Sequence, residues 1–135
     1  MWTTDAGIKR FFAPASHVEA RVGGPYTIIF DPAHDPNGDA AGTNGSKVLR
    51  VEAPKLFVAE WDCGVPDISP SLKKITNPST IELRFEPVDA THTRVKITHA
   101  GFRTDGEWPK AYAFFKDAAW PKVMRDFQSA TARRP

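Results

Sequence analysis

Polar and apolar residues exchange places along this chain with two distinct periods. Ile81, Leu83 and Phe85 alternate with Glu82, Arg84 and Glu86, and Val95, Ile97 and His99 alternate with Arg94, Lys96 and Thr98. A period of two sends every second side chain to the same face, so both runs predict strands with one buried and one solvated side. Pro87 to His92 is the turn between them. Upstream, His17–Val22 and Tyr26–Phe30 predict a hairpin about Gly23-Gly24-Pro25, and Lys47–Glu52 and Leu56–Trp61 predict another about the Ala53-Pro54 corner. Glycines and prolines inserted into alternating patterns bend a sheet locally, which predicts a curved antiparallel sheet of about six strands. The stretches Asp31 to Gly45 and Gly64 to Pro78, dense in Pro, Asp, Asn and Gly, read as loops.

Helical spacing appears at the two ends. Thr3 and Thr4 supply a hydroxyl cap, Asp5 an acid in the first turn, and Ala13-Pro14 a stop, so Asp5–Phe12 predicts a short helix with Ile8, Phe11 and Phe12 on one side. Glu107 to Thr131 predicts a long one, on which Tyr112, Phe115, Ala119, Val123 and Phe127 trace a stripe beside Trp120. Pro121 lies inside that run and predicts a kink or break around Lys116 to Trp120. Strands followed by a packed helix make an α+β domain, and residues 1–135 read as one such domain.

Charge changes the picture little. Eighteen basic and sixteen acidic residues leave a net charge of +2. Lys9-Arg10, Lys73-Lys74 and Arg133-Arg134 are far apart, so no basic stripe of the kind a nucleic-acid groove needs is formed. No apolar run approaches the roughly 20 residues that cross a bilayer, so no membrane span is expected. The segment Met1 to Asp5 lacks the basic-then-apolar layout of a secretory signal, and one cysteine, Cys63, forbids an internal disulfide. Both point to the cytoplasm. His17, His34, His92 and His99 show no metal-ligand spacing, and a calcium loop from Asp35 fails with Ala40 at its sixth position and Ser46 at its twelfth. No metal and no cofactor is expected.

The segments Trp2 to Gly7, Arg21 to Tyr26, Gly45 to Pro54, Leu56 to Trp61 and Thr93 to Phe102, together with Trp120, resemble the START-like (SRPBCC) superfamily. More closely they are similar to the bacterial family named for homology to the activator of heat-shock protein 90 ATPase, from the first residue to about Ala130. The resemblance implies a helix-grip fold, a curved antiparallel sheet wrapped around a Pro-kinked C-terminal helix, with a ligand cavity between them. It also implies a first strand, paired along Thr93 to Ala100, ahead of the Trp2-Thr3-Thr4 segment at which this chain begins. Either the true start lies upstream or another chain covers that edge, which makes a homodimer through the last strand an expectation.

Alternation places His99 on the same side as Val95 and Ile97, inside the concavity. A histidine there can serve as acid or base near neutral pH. The plainer reading, a histidine bonded to a neighbouring side chain, stands ahead of it. Glu60 and Trp61 alternate, and Trp61 on the concave side would leave Glu60 in water. Arg21 beside the double glycine reads first as a surface ion pair. The cavity lining expected is Trp61, Phe85, Val95, Ile97, His99, Phe102, Trp108, Tyr112, Phe115 and Trp120. Cys63 has no base near it in sequence, which leaves a catalytic thiolate without support. The function expected is binding of a small hydrophobic or aromatic molecule. Behind it stand an enzyme of the polyketide cyclase or dehydratase kind using His99, and a chaperone-assisting, partner-binding protein.

Overall fold

Thr4 opens the first helix by accepting a hydrogen bond from the Gly7 amide at 3.1 Å. The helix, α1, runs Asp5–Phe11 and buries Gly7 and Ile8, while Phe12 closes it. These are elements of a computed structural model that describes residues 1–132; Arg133 and Arg134 lie outside the described residues. Six strands follow: β1 Ala15–Val18, β2 Tyr26–Ile29, β3 Val48–Glu52, β4 Leu56–Trp61, β5 Ser79–Pro87 and β6 Thr93–Ala100. The chain ends in α2, Trp108–Phe114, a π-helical turn, Phe115–Ala119, and α3, Trp120–Ala132.

All pairings are antiparallel. β1 and β2 form a two-stranded sheet, and the other four pair in sequence order as β3-β4-β5-β6. A lone bridge from Pro25 to Lys47 joins the two, so the surface is nearly continuous. The first strand is shorter than its sequence pattern predicts. After Val18 the chain turns back on itself, because the Arg21 amide bonds the Glu19 carbonyl and the Gly24 amide bonds the Arg21 carbonyl. Gly23, at a φ of 82°, makes that turn possible, and its amide then donates to the Val48 carbonyl of β3. A second source of curvature was not visible in the sequence. The β3–β4 register slips between Val48 and Arg50, leaving Leu49 as the extra, exposed residue of a bulge.

The concave face carries the core. Ile81 and Leu83 of β5 are fully buried, as are Tyr26 and Ile28 of β2 and Phe57 of β4 in the same cluster.

 Along β4, Ala59 and Trp61 continue that buried row, and Glu60 turns outward to accept a hydrogen bond from the Lys47 amide. On β6 only Val95, Ile97 and His99 are half-buried, and the residues between them are exposed. β6 pairs with β5 alone, so among the described residues its outer edge has no strand partner.

Pro121 does not break the C-terminal helix. A proline ring inside an α-helix meets the carbonyl four residues back and offers that carbonyl no N–H. Here the turn before it widens instead, and the Trp120 amide bonds the Phe115 carbonyl five residues earlier. The widening shifts the helical phase by one residue. Trp120, 8% exposed, therefore reaches the sheet side, and Ala119 is only half-buried. Tyr112, expected on the inner stripe, is 48% exposed, because Trp108, Ala111 and Phe115 form the buried face of that segment.

Candidate functional site

The end of β4, the end of α1 and the π-turn bring aromatic rings together. Trp61 stacks on Phe12 with centroids 5.9 Å apart and lies 5.1 Å from Trp120 and 6.3 Å from Phe115. These rings do not fill the space between sheet and helix. A cavity of about 370 Å³ remains, lined by Phe12, Phe30, Trp61, Phe114, Phe115, Trp120 and Val123. Ala41, Thr43, Val65 and Pro66 from the two long loops also line it, and Asp62, Lys122 and Asp126 are its charged residues. That volume lies within the usual range for a small-molecule site, and a mostly apolar wall with few polar groups is the usual composition.

The polar groups of the wall are nearly all engaged. Thr43 donates its hydroxyl to the Tyr26 carbonyl and accepts from the Ile28 amide, both at 2.8 Å. Asp62, almost fully buried, accepts from the Gly64 amide at 2.8 Å and the Lys74 amide at 3.1 Å, and its carboxylate lies 3.3 Å from the Lys73 ammonium. Lys122 pairs with Asp126 at 2.7 Å. The indole N–H of Trp61 is sealed from solvent and has no hydrogen-bond partner.

Trp120 is held in the wall from behind. Its indole N–H donates to Nδ1 of His99 at 3.0 Å. An indole nitrogen can only donate, so Nδ1 accepts and the proton of the neutral imidazole sits on Nε2. Nε2 lies 2.7 Å from the Ser79 hydroxyl, which donates in turn to the Trp61 carbonyl at 2.9 Å. The Cys63 thiol, 2.9 Å from the same hydroxyl oxygen, completes the chain as a donor. One histidine thereby ties β6 to β5, to the end of β4 and to α3. Burial pushes its pKa down to about 3, and burial pushes the Cys63 thiol up to about 12. Neither group is poised for proton transfer or nucleophilic attack near neutrality.

The ten residues expected to line one cavity are divided. Trp61, Phe115 and Trp120 are in its wall. Phe85 and Val95 line a separate, wider groove of about 740 Å³ with Met1, Trp2 and Phe127. Ile97, His99, Phe102, Trp108 and Tyr112 line neither space. His99 and Phe102 pack on each other with centroids 4.4 Å apart, and Arg103 covers the Trp108 ring at 4.7 Å. Arg21 makes the surface ion pair expected of it, 3.1 Å from Glu19. Sequence reasoning missed Phe12, Phe30, Phe114 and the loop residues. Only the apolar Val65-Pro66 pair within a polar loop hinted at a lid over an apolar space.

Among the described residues no helix is long and apolar enough to cross a membrane, and no group of three or more His, Cys, Asp or Glu side chains is placed to hold a metal ion. A family model described as Activator of Hsp90 ATPase homolog 1-like protein matches residues 1–131. No curated protein and no solved structure matches the chain.

Proposed function

The chain belongs to the Activator of Hsp90 ATPase homolog 1-like family, and from that premise we propose that it is a START-like binding module for a small hydrophobic or aromatic molecule. The observation that carries this reading is the ring-walled cavity of about 370 Å³ between β4 and the C-terminal helix. His99 acts here as a positioning residue: it fixes the Trp120 ring and has no nitrogen left for a substrate. The cavity, rather than the chaperone named in the family description, supports the function, and the cytoplasm is its proposed location.

The test is titration with N-phenyl-1-naphthylamine, an uncharged probe that fluoresces in apolar sites. Saturable binding that Val65→Trp abolishes by filling the cavity, and that Val95→Trp in the separate groove leaves intact, is the expected result. Binding unaffected by Val65→Trp, or no binding, refutes it.

The open edge of β6 favours a second copy of this chain as protein partner. Antiparallel pairing about a two-fold axis would continue the sheet and its half-buried Val95 and Ile97 row. It would also gather Arg94 and Lys96 of both copies on one face, so added salt should strengthen the dimer. Sedimentation showing a monomer at every salt concentration sinks this reading.

A further inference from the structure

The proposed cavity contains charge, but none of it is free. Asp62 is the one buried ionisable group of the wall, and its side chain is 5% exposed. Its oxygens already take two backbone amides, and Lys73, its ammonium partner, also donates to the Gly42 carbonyl. Lys122 and Asp126 are exposed on α3 and neutralise each other. A carboxylate entering the cavity would meet Asp62 in its wall, while Lys73, the ammonium that pairs with Asp62, is not among the lining residues, so the negative end of that pair is the end the ligand faces. An ammonium would lose its water and find both carboxylates engaged.

We infer that the cavity selects uncharged, ring-bearing ligands and that Asp62 is the residue that rejects aromatic and fatty carboxylates. This rests on the proposed binding function and names the class of ligand that function takes. Flat rings fit because Phe12, Trp61, Phe115 and Trp120 present aromatic surface around the space, where offset and edge-on contacts are favourable. Like charges brought together in a desolvated site repel, which sets the direction of the selectivity.

The experiment uses three probes with the same ring system: 1-naphthalenemethanol, 1-naphthoate and 1-naphthylmethylammonium, each displacing N-phenyl-1-naphthylamine at neutral pH. The alcohol should bind on the order of tenfold or more tightly than either ion. Asp62→Asn should narrow the gap between alcohol and naphthoate. Asp126→Asn should do so too, by freeing Lys122 on the surface of α3 where the fold is not at stake. Equal or tighter binding of either ion overturns the inference, as does failure of the alcohol to displace the dye, or a gap unchanged in both variants. These results leave the binding function standing if the dye still binds in a manner blocked by Val65→Trp. Loss of dye binding in the unaltered protein removes both.

Discussion

Lowering the pH from neutrality titrates His99 in the unfolded chain while the folded chain keeps it neutral. The ordinary value is 6.5 and burial moves it to about 3 in the native state. The hydrogen-bond arrangement acts in the same direction, since a protonated ring would turn Nδ1–H against the N–H of Trp120. A group whose folded pKa is depressed leaves the native state binding fewer protons than the unfolded state below the unfolded pKa. Stability is therefore unaffected by this group above pH 6.5 and falls as the pH drops from 6.5 towards 3. The slope approaches about 1.4 kcal/mol per pH unit once the unfolded histidine is mostly protonated, so roughly 2 kcal/mol is lost over the first two units.

Exposed carboxylates also change charge in acid, so the measurement is a difference. His99→Asn keeps an oxygen that can accept from the Trp120 indole and cannot be protonated in this range. Urea unfolding of both proteins at half-unit pH steps gives two stability curves. The unaltered protein should be the more stable near pH 7.5, and its advantage should shrink by about 1.4 kcal/mol per unit below pH 6.5. Parallel curves between pH 6.5 and 4.5 would falsify the assignment of His99 as a neutral, doubly bonded residue, because a proton-linked difference cannot then exist.

Ser79→Ala removes the acceptor for His99 Nε2–H and the donor to the Trp61 carbonyl; it should cost about 2–3 kcal/mol, with less than additive loss when combined with His99→Asn. The Cys63 thiol, buried and pushed to about 12, should react with a disulfide reagent at neutral pH only at the rate of unfolding, and rapid native-state labelling would contradict its placement. Gly42→Ala should destabilise by more than about 2 kcal/mol, since a Cβ there would overlap the Ile28 carbonyl oxygen and stand 2.7 Å from Gly38 Cα, both backbone atoms. Thermal unfolding within a degree or two of the parent protein would show that this loop is free to move.

The sheet was legible because its strands pair in sequence order and bury one face. Ile81, Leu83 and Phe85 can alternate with Glu82, Arg84 and Glu86 only if one side is wet, so the period of two carries the burial pattern directly. The same rule required Trp61 and Glu60 to face opposite ways without saying which was inside, and the structure buries Trp61 and turns Glu60 outward. The cavity was less legible, for a reason that lies in one turn of helix. Helical spacing from Tyr112 runs through Phe115 to Ala119, but the π-turn that accommodates Pro121 adds a residue between Phe115 and Trp120. A proline is visible in the sequence, yet whether the backbone answers it by kinking or by widening depends on what the next residues gain from the new phase. Here the widened turn brings the Trp120 indole to His99 and its ring to Trp61. The long loops escape for a different reason: Ala41, Thr43, Val65 and Pro66 have no period, and their places depend on bonds to distant groups, such as Thr43 to Tyr26 and Asp62 to Lys73. A cavity between a sheet and a helix is thus set by the elements that alternation reveals, while its wall is finished by residues whose positions follow only from tertiary hydrogen bonds.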